Sequence, residues 1–292
     1  MDPNSIDLSD VSDITQYISP LDVLLFGAGV MILLVWAGRT HFGTRALRDT
    51  PPRRNSLPAY APFIPFFIWF AGASVAMSAV SHLDIDLDGW RGPLVSNLIY
   101  SAAGVVAIIS AIPLARAHFA RRLKGFGFDF AKAGKDLAYA FVNLLGIYPI
   151  LLISLLLTLL VGLLLQGKDF QLAQHEQLKL LGQYPNFWIY VAIFVLAVFV
   201  APVIEEITFR GLLQTLLRNY LKSPWLAIAI ASALFASIHF IPAHWPTLFF
   251  LAVCLGYAYE KSGSLLRPIF IHAIFNAMMV ISVIIQSRLQ IT

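Results

Sequence analysis

From Phe187 to Ile204 the chain reads FWIYVAIFVLAVFVAPVI without a single charge, and it then sets Glu205, Glu206 and Arg210 into the same helix-forming run. About 20 consecutive apolar residues suffice to cross a hydrocarbon layer of about 30 Å. In that layer only helices and closed barrels pair every backbone N–H and C=O group. Ionisable groups at such depth cost roughly 2.5–3.5 kcal/mol each on insertion scales and are retained mainly where they pair or do chemistry. The run therefore demands a membrane helix and a partner or a task for its charges.

The rest of the chain agrees. Of 292 residues, 59% are hydrophobic and 12% charged, and the mean hydropathy is +0.76, outside the range of a soluble domain. Apolar stretches at 21–37, 59–80, 94–115, 138–165, 187–204 (running on toward 220), 224–240, 246–259 and 266–285 predict an all-α polytopic membrane protein of about eight transmembrane helices. The N-terminus MDPNSIDLSDVSD lacks the basic region of a cleavable signal, so the first span is expected to stay. A single cysteine, Cys254, excludes an internal disulfide.

A net charge of +4 does not point to nucleic acid, because the basic residues sort by loop. Arg39, Arg45, Arg48, Arg53 and Arg54 follow the first span, and Arg116, Arg121, Arg122, Lys124, Lys132 and Lys135 follow the third. The loop with Asp84, Asp86 and Asp88 has only Arg91. This asymmetry predicts cytoplasmic basic loops that touch anionic lipid, with both termini outside. The compact chain points to a prokaryotic cell membrane.

Four regions are expected: an acidic N-terminal tail over 1–20, scaffold helices over 21–186, a core over 187–285 that carries the ionisable residues, and a C-terminal tail over 286–292. KGFGFDFAKAGKD, Lys124 to Asp136, interleaves Phe126, Phe128 and Phe130 with charges, as in a strip at the membrane surface or an amphipathic linker. His175 and Glu176 lie in the longest polar segment and are expected to be solvated.

The candidate chemistry is concentrated in the last third. Glu206 and Arg210 are four apart on a helix, acid before base, the favourable order for an ion pair. Glu205 sits about 100° around from Glu206 and is left without that arginine. An unpaired carboxylate there suits a general base acting on water, although a charge network between helices would also account for both glutamates. Phe235 and His239 are four apart, and so are His272 and Asn276, each pair on one helix face. Measured from the turn at LKSP, Glu205 and His239 lie at one depth, roughly 25 Å in; His272 lies roughly 14 Å from the turn at KSG. The helices must therefore be staggered, or one must project.

Three motifs in order, APVIEEITFRGLL, ALFASIHF and EKSGSLLRPIFIHAIFNA, resemble the CAAX prenyl protease type 2 family and its bacterial CPBP (Abi) relatives over about 187–285. The resemblance implies an intramembrane endopeptidase on eight helices, with 187–285 as its catalytic core and the site inside an intramembrane cavity formed by the C-terminal helices. It implies that Glu205 activates the attacking water with help from His239, and that His272 and Asn276 stabilise the oxyanion. Glu206 and Arg210 would orient the base, and Phe235 would support the site. It also implies a membrane-associated peptide or protein substrate, prenylated C-termini among the candidates. No cofactor is favoured; were zinc bound, Glu205, His239 and His272 would hold it, a set compatible with catalytic zinc although no HExxH occurs. The competing functions are a non-catalytic partner-binding or bacteriocin-immunity protein, which the intact motif set disfavours, and a proton-coupled transporter, for which no inverted repeat is found.

Overall fold

The computed structural model describes residues 20–167, 170, 172 and 176–289. The tail expected over 1–20 lies outside the described residues apart from Pro20, and so does His175; of the tail expected over 286–292, residues 286–289 continue the last helix. Among the described residues the secondary structure is helical, with an isolated bridge between Asn55 and Phe119.

The chain forms α1 (Pro20–Thr40), α2 (Phe63–Ser81), α3 (Arg91–His118), α4 (Ala133–Gln166), the short α5 (Glu176–Gln183), α6 (Phe187–Tyr220), α7 (Pro224–Ser237), α8 (Trp245–Ser262) and α9 (Leu266–Leu289). It is a multi-pass membrane protein. Six of these helices (α1, α2, α3, α4, α6 and α9) are long and apolar enough to cross a bilayer. The two further spans expected at 224–240 and 246–259 are α7 and α8. At 14 residues α7 rises only roughly 21 Å, and α8 carries Tyr257, Tyr259, Glu260 and Lys261 near its end. Each packs one face into the protein, with Ala227, Ile228, Ala231 and Phe235 of α7 and Leu251, Ala252, Leu255 and Ala258 of α8 buried, and leaves apolar side chains such as Leu226, Leu234 and Phe250 exposed.

At its centre lies α6. Its 34 residues rise roughly 50 Å, well beyond the bilayer core, and it is not a regular α-helix. Val195–Val200 and Ile207–Gln214 are π-helical, on either side of the α-helical turn that holds the two glutamates. Parallel to it, α8 supplies backbone acceptors at a matching interval: Arg210 Nη2 donates to Ala252 O (3.1 Å) and Gln214 Nε2 to Gly256 O (3.1 Å) and Glu260 Oε1 (3.1 Å). Gly256 is needed there, since a Cβ would lie 2.7 Å from Gln214 Oε1.

The basic segments meet at one end of the bundle and strap it together. Lys261 Nζ donates to Ala46 O, Arg218 Nη2 to Thr50 O, Trp225 Nε1 to Gly43 O and Arg53 Nη2 to Tyr259 O, while the Arg53 guanidinium lies 3.6 Å over the Tyr259 ring. KGFGFDF is more than a surface strip. Phe130 is exposed, but Phe126 is buried at the base of the core, where Tyr259 donates to its carbonyl and a Cβ on Gly211 would lie 2.4 Å from its ring. Gly127 follows at φ +126, in a conformation open to glycine alone, and its carbonyl accepts from Leu265 N (2.9 Å).

That last bond settles the depth mismatch. The turn before α9 is drawn into the protein, with Ser264, Leu265 and Leu266 buried, whereas Lys222 and Ser223 of the turn after α6 are exposed. The two helix ends are staggered, so His272 reaches the glutamates from a nearer starting point.

Candidate active site

His272 is the node of the site. Its Nδ1 is 2.9 Å from Glu206 Oε1, and its Nε2 is 3.7 Å from Glu205 Oε2. Arg210 Nη1 donates to the same Glu206 oxygen at 2.8 Å. Glu206 and Arg210 are 0% and 1% exposed, and Glu205 is 14% exposed. Since Glu206 can only accept, the Nδ1 nitrogen of His272 carries the proton of that bond, and Nε2 is the nitrogen turned to Glu205. Glu205 Oε2 and Glu206 Oε2 are both buried and have no hydrogen-bond partner among the described residues. Buried acceptors kept open in this way are uncommon and concentrate where chemistry is done.

The cluster stands on aromatic rings. Phe235 is fully buried, with the Arg210 guanidinium 4.6 Å from its ring centre, the His272 ring at 5.8 Å and Phe209 at 5.2 Å. His239 also packs on Phe235, at 4.9 Å, and its Nδ1 donates to Phe235 O (2.8 Å), which leaves Nε2 as an acceptor. α7 ends at Ser237, so His239 lies in the bend beyond the helix and not on its face; Trp245 Nε1 holds that bend by donating to His239 O. The structure thus gathers Glu205, Glu206, Arg210, Phe235 and His272, and connects His239 to them through Phe235.

Asn276 is placed differently from a simple neighbour of His272. One turn further along α9, its amide donates to Ala197 O (2.8 Å), in the first π-helical segment. The wide turn explains why that carbonyl is available: the N–H of Ala201 goes to Leu196, and the next residue, Pro202, has no N–H to give.

Glu205, His239 and His272 do not form a metal-binding group, and no set of three His, Cys, Asp or Glu side chains among the described residues could hold an ion. Sequence reasoning missed Gln214 and Glu260. The signal was there, since Glu206, Arg210, Gln214 and Arg218 recur every four residues and so form one polar stripe. It also missed the buried pair of Asp136 and Arg267, whose partners are 131 residues apart.

An all-α membrane bundle with a buried Glu–His–Glu–Arg cluster is the class that fold and site define. Residues 186–278 match the family model for Type II CAAX prenyl endopeptidase Rce1-like proteins, so the resemblance carried by the three motifs is shown over that segment. No curated protein and no solved structure matches the chain.

Proposed function

We propose that the protein is an intramembrane endopeptidase of the CAAX-processing type. The observation that carries the proposal is the imidazole of His272 held between Glu206 and Glu205, with one glutamate paired to Arg210 and the other keeping a buried oxygen open.

In the proposed reaction Glu205 takes a proton from water as the water oxygen attacks the scissile carbonyl carbon. The carbonyl oxygen becomes an oxyanion, which accepts a hydrogen bond from protonated His272 Nε2 and from the second N–H of Asn276. The proton on Glu205 then passes to the amide nitrogen, the C–N bond breaks, and acid and amine leave. Glu206, itself paired to Arg210, orients the His272 ring through Nδ1–H and stabilises the imidazolium that donates from Nε2, as the buried carboxylate does in a serine-protease triad. His239 assists the water through Nε2. Each donor aimed at a developing oxyanion is commonly worth about 2.7–4 kcal/mol. No step is routed through a metal, since the donors gather no ligand set.

The substrate class we propose is a membrane-associated peptide or protein, prenylated C-termini included, approached from the bilayer; nucleic acid is not a partner. The test is cleavage by membranes containing wild type or Glu205→Gln, with prenylated and unprenylated versions of one peptide. Cleavage by wild type alone supports the proposal. Equal cleavage by both ends it, and no cleavage of either peptide favours a partner-binding protein.

A further inference from the structure

On α9, five residues before His272, Arg267 turns away from the site. Its Nε donates to Asp136 Oδ1 (3.0 Å) and its Nη2 lies 3.0 Å from the same oxygen, while its guanidinium rests 4.6 Å over the Tyr139 ring. Both residues are buried, with Asp136 1% exposed. Asp136 Oδ2 has no hydrogen-bond partner among the described residues. A buried ion pair that leaves a carboxylate oxygen unsatisfied gains little stability over apolar packing. What it fixes is geometry.

Five residues along an α-helix turn the side chain by about 140° and advance it by about 7.5 Å. The helix α9 is therefore gripped on two well-separated faces, by Asp136 of α4 and by Glu206 of α6, with Leu265, the residue just before it, pinned to Gly127. Rotation about the axis of α9 is the motion that pair of grips removes. For a side-chain tip about 5–6 Å from the axis, a rotation of about 10° is a displacement of about 1 Å, and a misplacement of that size costs about 100-fold in rate.

We infer that Asp136 and Arg267 are positioning residues for His272, setting the rotation of α9 so that Nδ1 meets Glu206 and Nε2 faces Glu205. Neither touches the reacting atoms; both act through the helix. The role rests on the proposed protease chemistry for its kinetic consequence and on geometry alone for its structural one.

The test uses full-length protein in detergent, comparing wild type with Asp136→Asn and Arg267→Lys. Two quantities are read: steady-state cleavage of a membrane-anchored peptide, and the low-field proton resonance of the His272 Nδ1–H in 15N-histidine-labelled protein, assigned by its loss in His272→Gln. Asp136→Asn is expected to lower kcat about 100-fold with little change in KM, and to shift or broaden the resonance. Should Asp136→Asn fail to fold, Arg267→Lys, which keeps the charge and loses the Nε donor, is expected to show the same pattern more weakly. An unchanged resonance with unchanged kcat overturns the inference, as does a lower melting temperature with both readouts intact in the folded fraction. If wild type cleaves nothing, the protease proposal fails, and the resonance still decides whether the pair positions His272.

Discussion

The side-chain amide of Asn276 donates to the backbone carbonyl of Ala197 across 2.8 Å, joining α9 to the one stretch of α6 whose backbone ladder Pro202 leaves incomplete. One of its two N–H groups is thereby spent on structure, and the proposal assigns the other to the oxyanion. Asn276→Ala is expected to show both losses. The orphaned carbonyl should lower stability by roughly 1–3 kcal/mol, and the lost donor should lower kcat by about 10²–10³ with KM little changed. Melting curves and steady-state kinetics on the same preparation separate them. A lower melting temperature with unchanged kcat would confine Asn276 to holding Ala197.

The two glutamates should respond to substitution in different ways. Glu205→Gln is expected to abolish cleavage and leave thermal stability near that of wild type, because its carboxylate makes no hydrogen bond through Oε2. Glu206→Gln strips the charge that Arg210 and His272 share, and breaking a buried pair by removing one partner costs roughly 3–5 kcal/mol. Thermal unfolding in detergent should rank Glu206→Gln far below Glu205→Gln. The reverse order would exchange their roles.

Metal removal is expected to leave the activity intact, since Glu205, His239 and His272 do not converge as ligands. Titration of wild type with a chelator checks this. Inactivation that zinc reverses would replace the glutamate-and-histidine mechanism with a zinc one.

The basic end of the bundle is expected to face the cytoplasm. With Cys254 replaced by serine, single cysteines at the exposed positions Arg48, Arg121 and Asp86 should label from opposite sides, the first two only from the cytoplasm. Labelling at Asp86 from the cytoplasm alone would invert the topology.

Much of the site could be read directly from the residues. Glu206 and Arg210 four apart announce their ion pair, and the order of the three motifs carries the resemblance that the family model matches over residues 186–278. Other features were hidden for physical reasons. Apolar runs report hydrophobicity but not helix length, so the run at 224–240 reads as a full span although α7 has only 14 residues. Asp136 looked like one more charge in a polar linker, because its partner is reached only through the fold. His239 followed a helical period that stops two residues earlier. Nothing in a residue list shows a π-helical turn, so the acceptor waiting for Asn276 could not be foreseen.

Those wide turns have a consequence for the helix as a mechanical part. Each takes in one residue more than an ordinary turn, so deleting one residue from Val195–Val200 would let the regular ladder close while leaving Phe187–Phe194 on nearly the same bearing relative to the glutamates. With a second such joint on the far side, at Ile207–Gln214, the short segment Ala201–Glu206 is a keyed insert between two adjustable couplings. A one-residue change of length at either joint is absorbed where it occurs, while the carboxylates keep their bearing on His272.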